Sequence, residues 1–289
     1  MGNLMSRGAA ELKQRGDALG AKAMHHPWTE RLARLGYLAK GLVYAVVGVL
    51  ALQVAFGQGG KMTDTKGALA TLAQQRWGTV LLAVTAVGLM GYALWRVVEA
   101  WMDPDGKGTG AKGLFIRAGY VVSAFIHVSL AVAALRIVSG TGGVGVHGDQ
   151  SARSWTAKLL SMPFGQVLVA VVGLVVAGIG VWQIRKAWTE KFRRKLRLES
   201  LDARHAGWAL RISKCGILAR GAVFVLMGVF FLLAAVDANP REARGLDGTL
   251  QELARQPFGT LLLALAAAGL VAYAVYMAVA SRYRRFVDA

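Results

Sequence analysis

The sequence predicts an all-α integral membrane protein: six transmembrane helices, built as three tandem parallel two-helix repeats in a pseudo-threefold bundle, with short interfacial helices on the outer side. Three observations lead there. The 289 residues are 55% hydrophobic and only 17% charged, against about 25% charged in an ordinary soluble domain. Six stretches reach the length of about 20 apolar residues that a helix needs to cross a bilayer. One motif recurs three times. Lys+Arg number 34 against 16 Asp+Glu, a net charge of +18. A chain both greasy and basic must segregate its charge from its apolar mass, which excludes a disordered tail, a fibre or an acidic soluble enzyme. A single cysteine excludes a disulfide framework and any Cys-rich metal or iron–sulfur site.

The expected spans run over Gly36–Phe56, Gly78–Trp101, Leu114–Val138, Gly165–Ile184, Lys214–Val236 and Gly259–Ala280, with almost nothing charged at their centres. Unbroken apolar runs such as Val80–Val84 and Val167–Val172 exclude barrel strands, which alternate with period two. Residues 1–30 lack the continuous apolar core of a secretion signal. The side holding both termini and the second and fourth connections collects 25 of the 34 cations. The positive-inside rule therefore predicts a multi-pass protein of the cell (inner) membrane with both termini cytoplasmic.

Arg34-Leu35-Gly36-Tyr37 overlays on Arg117-Ala118-Gly119-Tyr120 and Lys214-Cys215-Gly216-Ile217. In that register Gly41, Ala124 and Gly221 coincide, then Tyr44, His127 and Phe224, then Gly48, Ala131 and Gly228. Second helices align through Trp77-Gly78, Phe164-Gly165 and Phe258-Gly259, so that Trp95 meets Trp182 and Tyr276, and Tyr92 meets Ile179 and Tyr273. Two spans per unit make successive repeats parallel, about an axis along the membrane normal. The small residues are packing positions where helix backbones approach closely. Before each second helix, Gly67–Ala73, Ser154–Leu160 and Gly248–Ala254 read as short interfacial helices capping the outer mouth, anchored by Trp77, Phe164 and Phe258.

This pattern of basic-x-Gly-Tyr, glycine-spaced first helix, Gly-Ala-Leu, aromatic-Gly and Gly-Leu-x-x-Tyr-Ala-x-Trp-Arg resembles a bacterial membrane family catalogued as domain of unknown function 1206. Arg34–Tyr44 and Gly67–Arg96 carry the resemblance best. The second copy departs most, with His127 replacing an aromatic and Gln183 standing where Arg96 does. The resemblance implies three tandem two-span repeats and no activity. The expected organisation is a basic cytoplasmic leader (residues 1–33), repeats over 34–102, 103–186 and 214–281, a basic loop over 187–213 and a tail over 282–289.

Polar groups inside a membrane are costly and mark candidate sites. His127, near the middle of the third span, forms with Ser123 and Tyr44 the candidate intramembrane polar site, because imidazole titrates near physiological pH. The competing reading is a neutral ring satisfied by a nearby Ser or carbonyl. Ser129 reads as an interhelical hydrogen bond and Cys215 as a small buried residue. Arg96 and Glu99 form a candidate i, i+3 ion pair near the cytoplasmic end of the second span, with Arg96 expected to snorkel toward headgroups. Gln53, Thr85 and Gln183 are unmatched between copies, so no repeated polar ring is expected. In the fourth connection, Lys191, Arg193, Arg194, Lys195 and Arg197 read as an orientation signal against anionic lipid headgroups, not as a nucleic-acid site.

The sequence offers no HExxH, no paired carboxylates within a span and no Cys/His pair at nucleophile spacing, so no catalytic residue, cofactor or metal is expected. Ligation by His25, His26 and His205 would require two distant segments to meet. The expected function is a non-enzymatic accessory or scaffold beside another membrane complex or lipid. The alternative is a small permease or channel along the pseudo-threefold axis, with His127 at the midplane.

Overall fold

A computed structural model of the chain describes residues 27–103, 106, 108–141, 148–200 and 202–284. The leader through residue 26, with His25 and His26, and the last five residues lie outside the described residues. The described chain is helical, without strands: α1 (Pro27–Ala55), α2 (Thr65–Ala73), α3 (Gly78–Met102), α4 (Ala111–Val138), α5 (Gly148–Leu160), α6 (Gly165–Trp188), α7 (Ala203–Val236), α8 (Leu246–Arg255) and α9 (Gly259–Tyr283). Six of them, α1, α3, α4, α6, α7 and α9, are long and apolar enough to cross a membrane. This is a multi-pass membrane protein of three helical hairpins.

The small-residue stripes decide how the hairpins meet. A Cβ on Gly41 would lie 3.1 Å from Met277 and the Ala274 carbonyl, and one on Gly48 2.7 Å from Val271. Gly221 and Gly228 sit as closely on Gly180, Ala177 and Gly173. Each stripe thus brings the first helix of one repeat onto the second helix of the preceding one, where lipid supplies no hydrophobic force and contact must do so. The result is three equivalent interfaces: α9 on α1, α3 on α4, α6 on α7.

A basic residue staples each interface at the end of the bundle bearing the termini. Arg34 donates to the carbonyls of Ser281 and Arg282 at the end of α9. Arg117 donates to those of Ala100 (2.6 Å) and Trp101 (3.0 Å) at the end of α3. Lys214 reaches Glu190 just past α6 at 3.1 Å. A cation at a helix C-terminus meets carbonyls that have no partner within the helix and the negative end of the helix dipole.

The hairpins themselves are unequal. α1 packs on α3 and α7 on α9, whereas α4 and α6 share no packed interface. The ring therefore runs α4–α3–α1–α9–α7–α6 and stays open between its two ends. The reason is legible at one pair of positions. Gly88 faces Ala39 and Gly269 faces Ala219, where an added Cβ would stand 2.6 Å and 2.0 Å from the alanine Cβ. The register places Val122 and Val175 there in the second repeat. Two valines cannot approach as glycine and alanine do, and Val122 is 59% exposed against 5% for Ala39.

At the opposite end α2, α5 and α8 form the expected cap. Leu69, Leu72 and Leu250 are buried beneath it. The anchors Trp77, Phe164 and Phe258 remain exposed, the two phenylalanines in the left-handed region at φ 60° and 61°.

The fourth connection is packed as well as basic. Phe192 packs edge-on to Tyr276, and Leu196 and Leu198 are buried with it. Leu196 bridges Arg284, and the Arg197 amide donates to the Tyr283 carbonyl at 2.7 Å. Lys191, Arg193, Arg194 and Arg197 stay exposed, while Lys195 is half-buried. Two further expectations fail. Cys215 is exposed on α7, not buried. Ser129 bonds within its own helix, to the Phe125 carbonyl at 2.9 Å.

Candidate functional site

The interior near the terminal end is polar and cationic, where the expectation was of spans with almost nothing charged at their centres and no repeated polar ring. The register that pairs the glycines also pairs Lys40 with Ser123 and Arg220. Lys40 lies six residues beyond Arg34, about 9 Å along the helix at 1.5 Å per residue. Its ammonium donates to the Tyr92 hydroxyl at 3.0 Å and stands 4.5 Å from that ring. Arg220 donates to the Tyr44 hydroxyl at 2.9 Å and to Gln183 Oε1, its guanidinium 4.1 Å from the Phe224 ring and 4.9 Å from Tyr273. Repeats 1 and 3 therefore build the same cation–tyrosine pair, and repeat 2 replaces both members, with Ser123 and Ile179.

Tyr92 joins the groups. It stacks edge-on with Tyr37 (5.2 Å) and lies 4.4 Å from the His127 ring. Its hydroxyl also accepts from Arg96. The Arg96–Glu99 pair forms as expected, at 2.7 Å, but Arg96 turns inward between the rings of Tyr92 and Tyr120 and does not snorkel. Glu99, 1% exposed, also accepts from Arg284 at 2.6 Å, and Arg284 donates to the Tyr37 hydroxyl. One carboxylate thus serves two arginines. Breaking such a buried pair costs about 3–5 kcal/mol.

The candidate triad is brought together only in part. His127 Nδ1 lies 2.7 Å from the Ser123 carbonyl, so the backbone satisfies one ring nitrogen and Nε2 is left as the other polar end. Tyr44 belongs to the Arg220 side of the axis. The Tyr92 ring meets His127, Lys40 and Arg96 alike, which gathers these three around one tyrosine. Lys40 and Arg220 carried a sequence signal: both fall at one repeat position.

The cap end buries carboxylates instead, Asp64 and Asp247. The Asp64 carboxylate caps α2 through the Gly67 amide at 2.8 Å. Asp149 accepts from the Gly245 amide at 3.2 Å and pairs with Arg153 at 2.7 Å. Burial, reinforced by the Asp64 and Asp149 charges, pushes the Asp247 carboxyl above its usual range. Two surface depressions of about 360 and 440 Å³ lie near this end, one against Ser154, Trp155 and Lys158, the other against Leu160, Phe164 and Ala238. Neither includes a residue of the axial cluster.

The comparisons agree with the threefold register. The family described as "Domain of Unknown Function (DUF1206)" matches residues 35–103, 118–190 and 215–284. The chain is similar to "Uncharacterized protein YxxB" of Bacillus subtilis (strain 168), 36% identical over 250 residues that cover 86% of this chain and 89% of that protein. No solved structure matches. With three matched repeats spanning most of the chain, the protein belongs to the family of domain of unknown function 1206.

Proposed function

We propose that the protein is a non-enzymatic accessory or scaffold of the bacterial inner membrane, with both termini cytoplasmic, packing beside another membrane complex or lipid. The unequal second repeat carries this reading. Repeats 1 and 3 commit their hairpin faces to internal contact, while α6 keeps its own outward: Ile179 and Trp182 are exposed, where their counterparts Tyr92 and Tyr273, Trp95 and Tyr276 are buried, and Phe125 on α4 is exposed as well. In a bilayer such faces meet lipid or another span. The cation bias supports the orientation. It also sets exposed Lys191, Arg193, Arg194 and Arg197, with half-buried Lys195, at the cytoplasmic headgroups. Mild extraction from native membranes should yield the protein comigrating with a larger assembly, with photocrosslinkers at Phe125 and Trp182 reacting with its neighbour. A monomeric peak without crosslinked protein or lipid contradicts the proposal.

A permease is the second reading, favoured by the polar axis of Lys40, Ser123, His127 and Arg220. It requires a flux in proteoliposomes that changes on His127→Ala. No flux over a panel of ions and protons removes it.

A further inference from the structure

Lys40 and Arg220 are cations inside membrane spans whose described partners are all neutral: one tyrosine hydroxyl for Lys40, a tyrosine hydroxyl and an amide oxygen for Arg220. Glu99 offers them nothing, being occupied by Arg96 and Arg284. Lys40 stands one helical turn before Tyr44, whose hydroxyl takes the Arg220 hydrogen bond, so the two cations flank the same stretch of the interior. Bare cations in a low-dielectric interior call for a negative partner. Because the ring is open at α4 and α6, the missing third member of their set, Ser123, faces a break and not a packed hairpin. Gly119, whose counterparts Gly36 and Gly216 touch a neighbouring backbone, has nothing within 4 Å of an added Cβ. Val122, Val175 and Ile179 give that break apolar walls.

We propose that Lys40 and Arg220 bind an oxyanion of the phosphate class, and that the opening between α4 and α6 admits it as the headgroup of an anionic phospholipid with its acyl chains between the two helices. Phosphate accepts several charge-assisted hydrogen bonds at once, and an arginine–lysine pair supplies donors of both geometries. Tyr92 and Tyr44, which now satisfy the cations, hold them toward the axis. This site rests on the membrane setting alone and is independent of any protein partner, so failure to comigrate with an assembly leaves it standing.

The test uses the full chain in delipidated detergent micelles, with thermal unfolding followed by tryptophan fluorescence against added phosphatidylglycerol, phosphatidylcholine or inorganic phosphate. Phosphatidylglycerol should raise the midpoint at about tenfold lower mole fraction than phosphatidylcholine. A shift with phosphatidylglycerol alone assigns the lipid as source; a shift with inorganic phosphate as well assigns the same site to a soluble anion. Lys40→Met with Arg220→Gln should abolish the preference, and Lys40→Arg should keep it. Should the double variant not fold, Arg220→Gln alone is expected to cut the preference to about threefold. Arg193→Gln, Arg194→Gln and Arg197→Gln together should retain it. Without lipid, Lys40→Met should melt no lower than the parent, since an unneutralised cation has been removed. No shift with either anion, or a preference that survives loss of both axial cations, overturns the proposal.

Discussion

Repeats 1 and 3 close their hairpins and repeat 2 does not, although all three descend from one pattern. The closed pair share glycine against alanine at the hairpin seam, a tyrosine on the second helix and a cation on the first. Repeat 2 has valine against valine, isoleucine and serine. Yet its outer contacts, Ala124 and Ala131 against α3 and Gly173 and Gly180 against α7, are as tight as the others. One helix face can therefore be conserved for neighbour packing while the other is released, and the bundle keeps its threefold stapling with a ring that opens on one side.

The largest expected effect comes from the charge network confined to the closed part. Glu99→Gln leaves Arg96 and Arg284 without their shared carboxylate and should lower stability by about 3–5 kcal/mol, read as a fall in the detergent melting midpoint. The counterpart in repeat 2 is Lys186, and Lys186→Gln should cost far less. Next, Gly36→Val and Gly216→Val drive a side chain into the backbones of Tyr92 and Tyr273, at 2.6 Å and 2.3 Å, and should each cost about 3 kcal/mol. Gly119→Val enters open space and should stay within about 0.5 kcal/mol. Equal losses at all three glycines would refute the distinction between repeats.

The smallest effect concerns the cap, where repeat 2 still touches its neighbours through Gly148 against Asp64 and Asp149 against Gly248. The Asp247 carboxyl is raised above its unfolded value, so the folded state binds a proton more readily. Stability should then rise as pH falls from the raised pKa toward the ordinary carboxylate range, and the burden of the ionised form is present above it. Asp247→Asn should melt higher near neutral pH and lose that rise. An unchanged pH profile would mean that the three cap aspartates do not crowd one another.

Much of this was readable from residues. Hydropathy placed all six spans, because twenty apolar residues in a row have few other uses. The repeat register found the glycine stripes, the basic staples Arg34, Arg117 and Lys214, and the cap helices. It also contained Lys40 over Arg220, and Val122 with Val175 against glycine and alanine. Neither stands out in the sequence, since a span with one cation still averages as apolar, and since a seam residue reveals its role only beside its partner on the other helix. The inward turn of Arg96 was not legible at all: snorkelling and burial need the same side chain, and Tyr92, Tyr120 and Glu99 decide between them. Nor was the clasp of Phe192, Leu196 and Leu198 visible, hidden within a run dominated by charge.

The open second hairpin is tested most directly by matched spin-label distances in lipid, on a Cys215→Ser background. The pairs Leu38→Cys with Leu94→Cys, Val121→Cys with Val181→Cys and Leu218→Cys with Val275→Cys sit at equivalent positions of the three repeats. The account predicts two similar distances from helices packed about 8–10 Å apart and a distinctly longer one for Val121 with Val181. Three equal distances would contradict it.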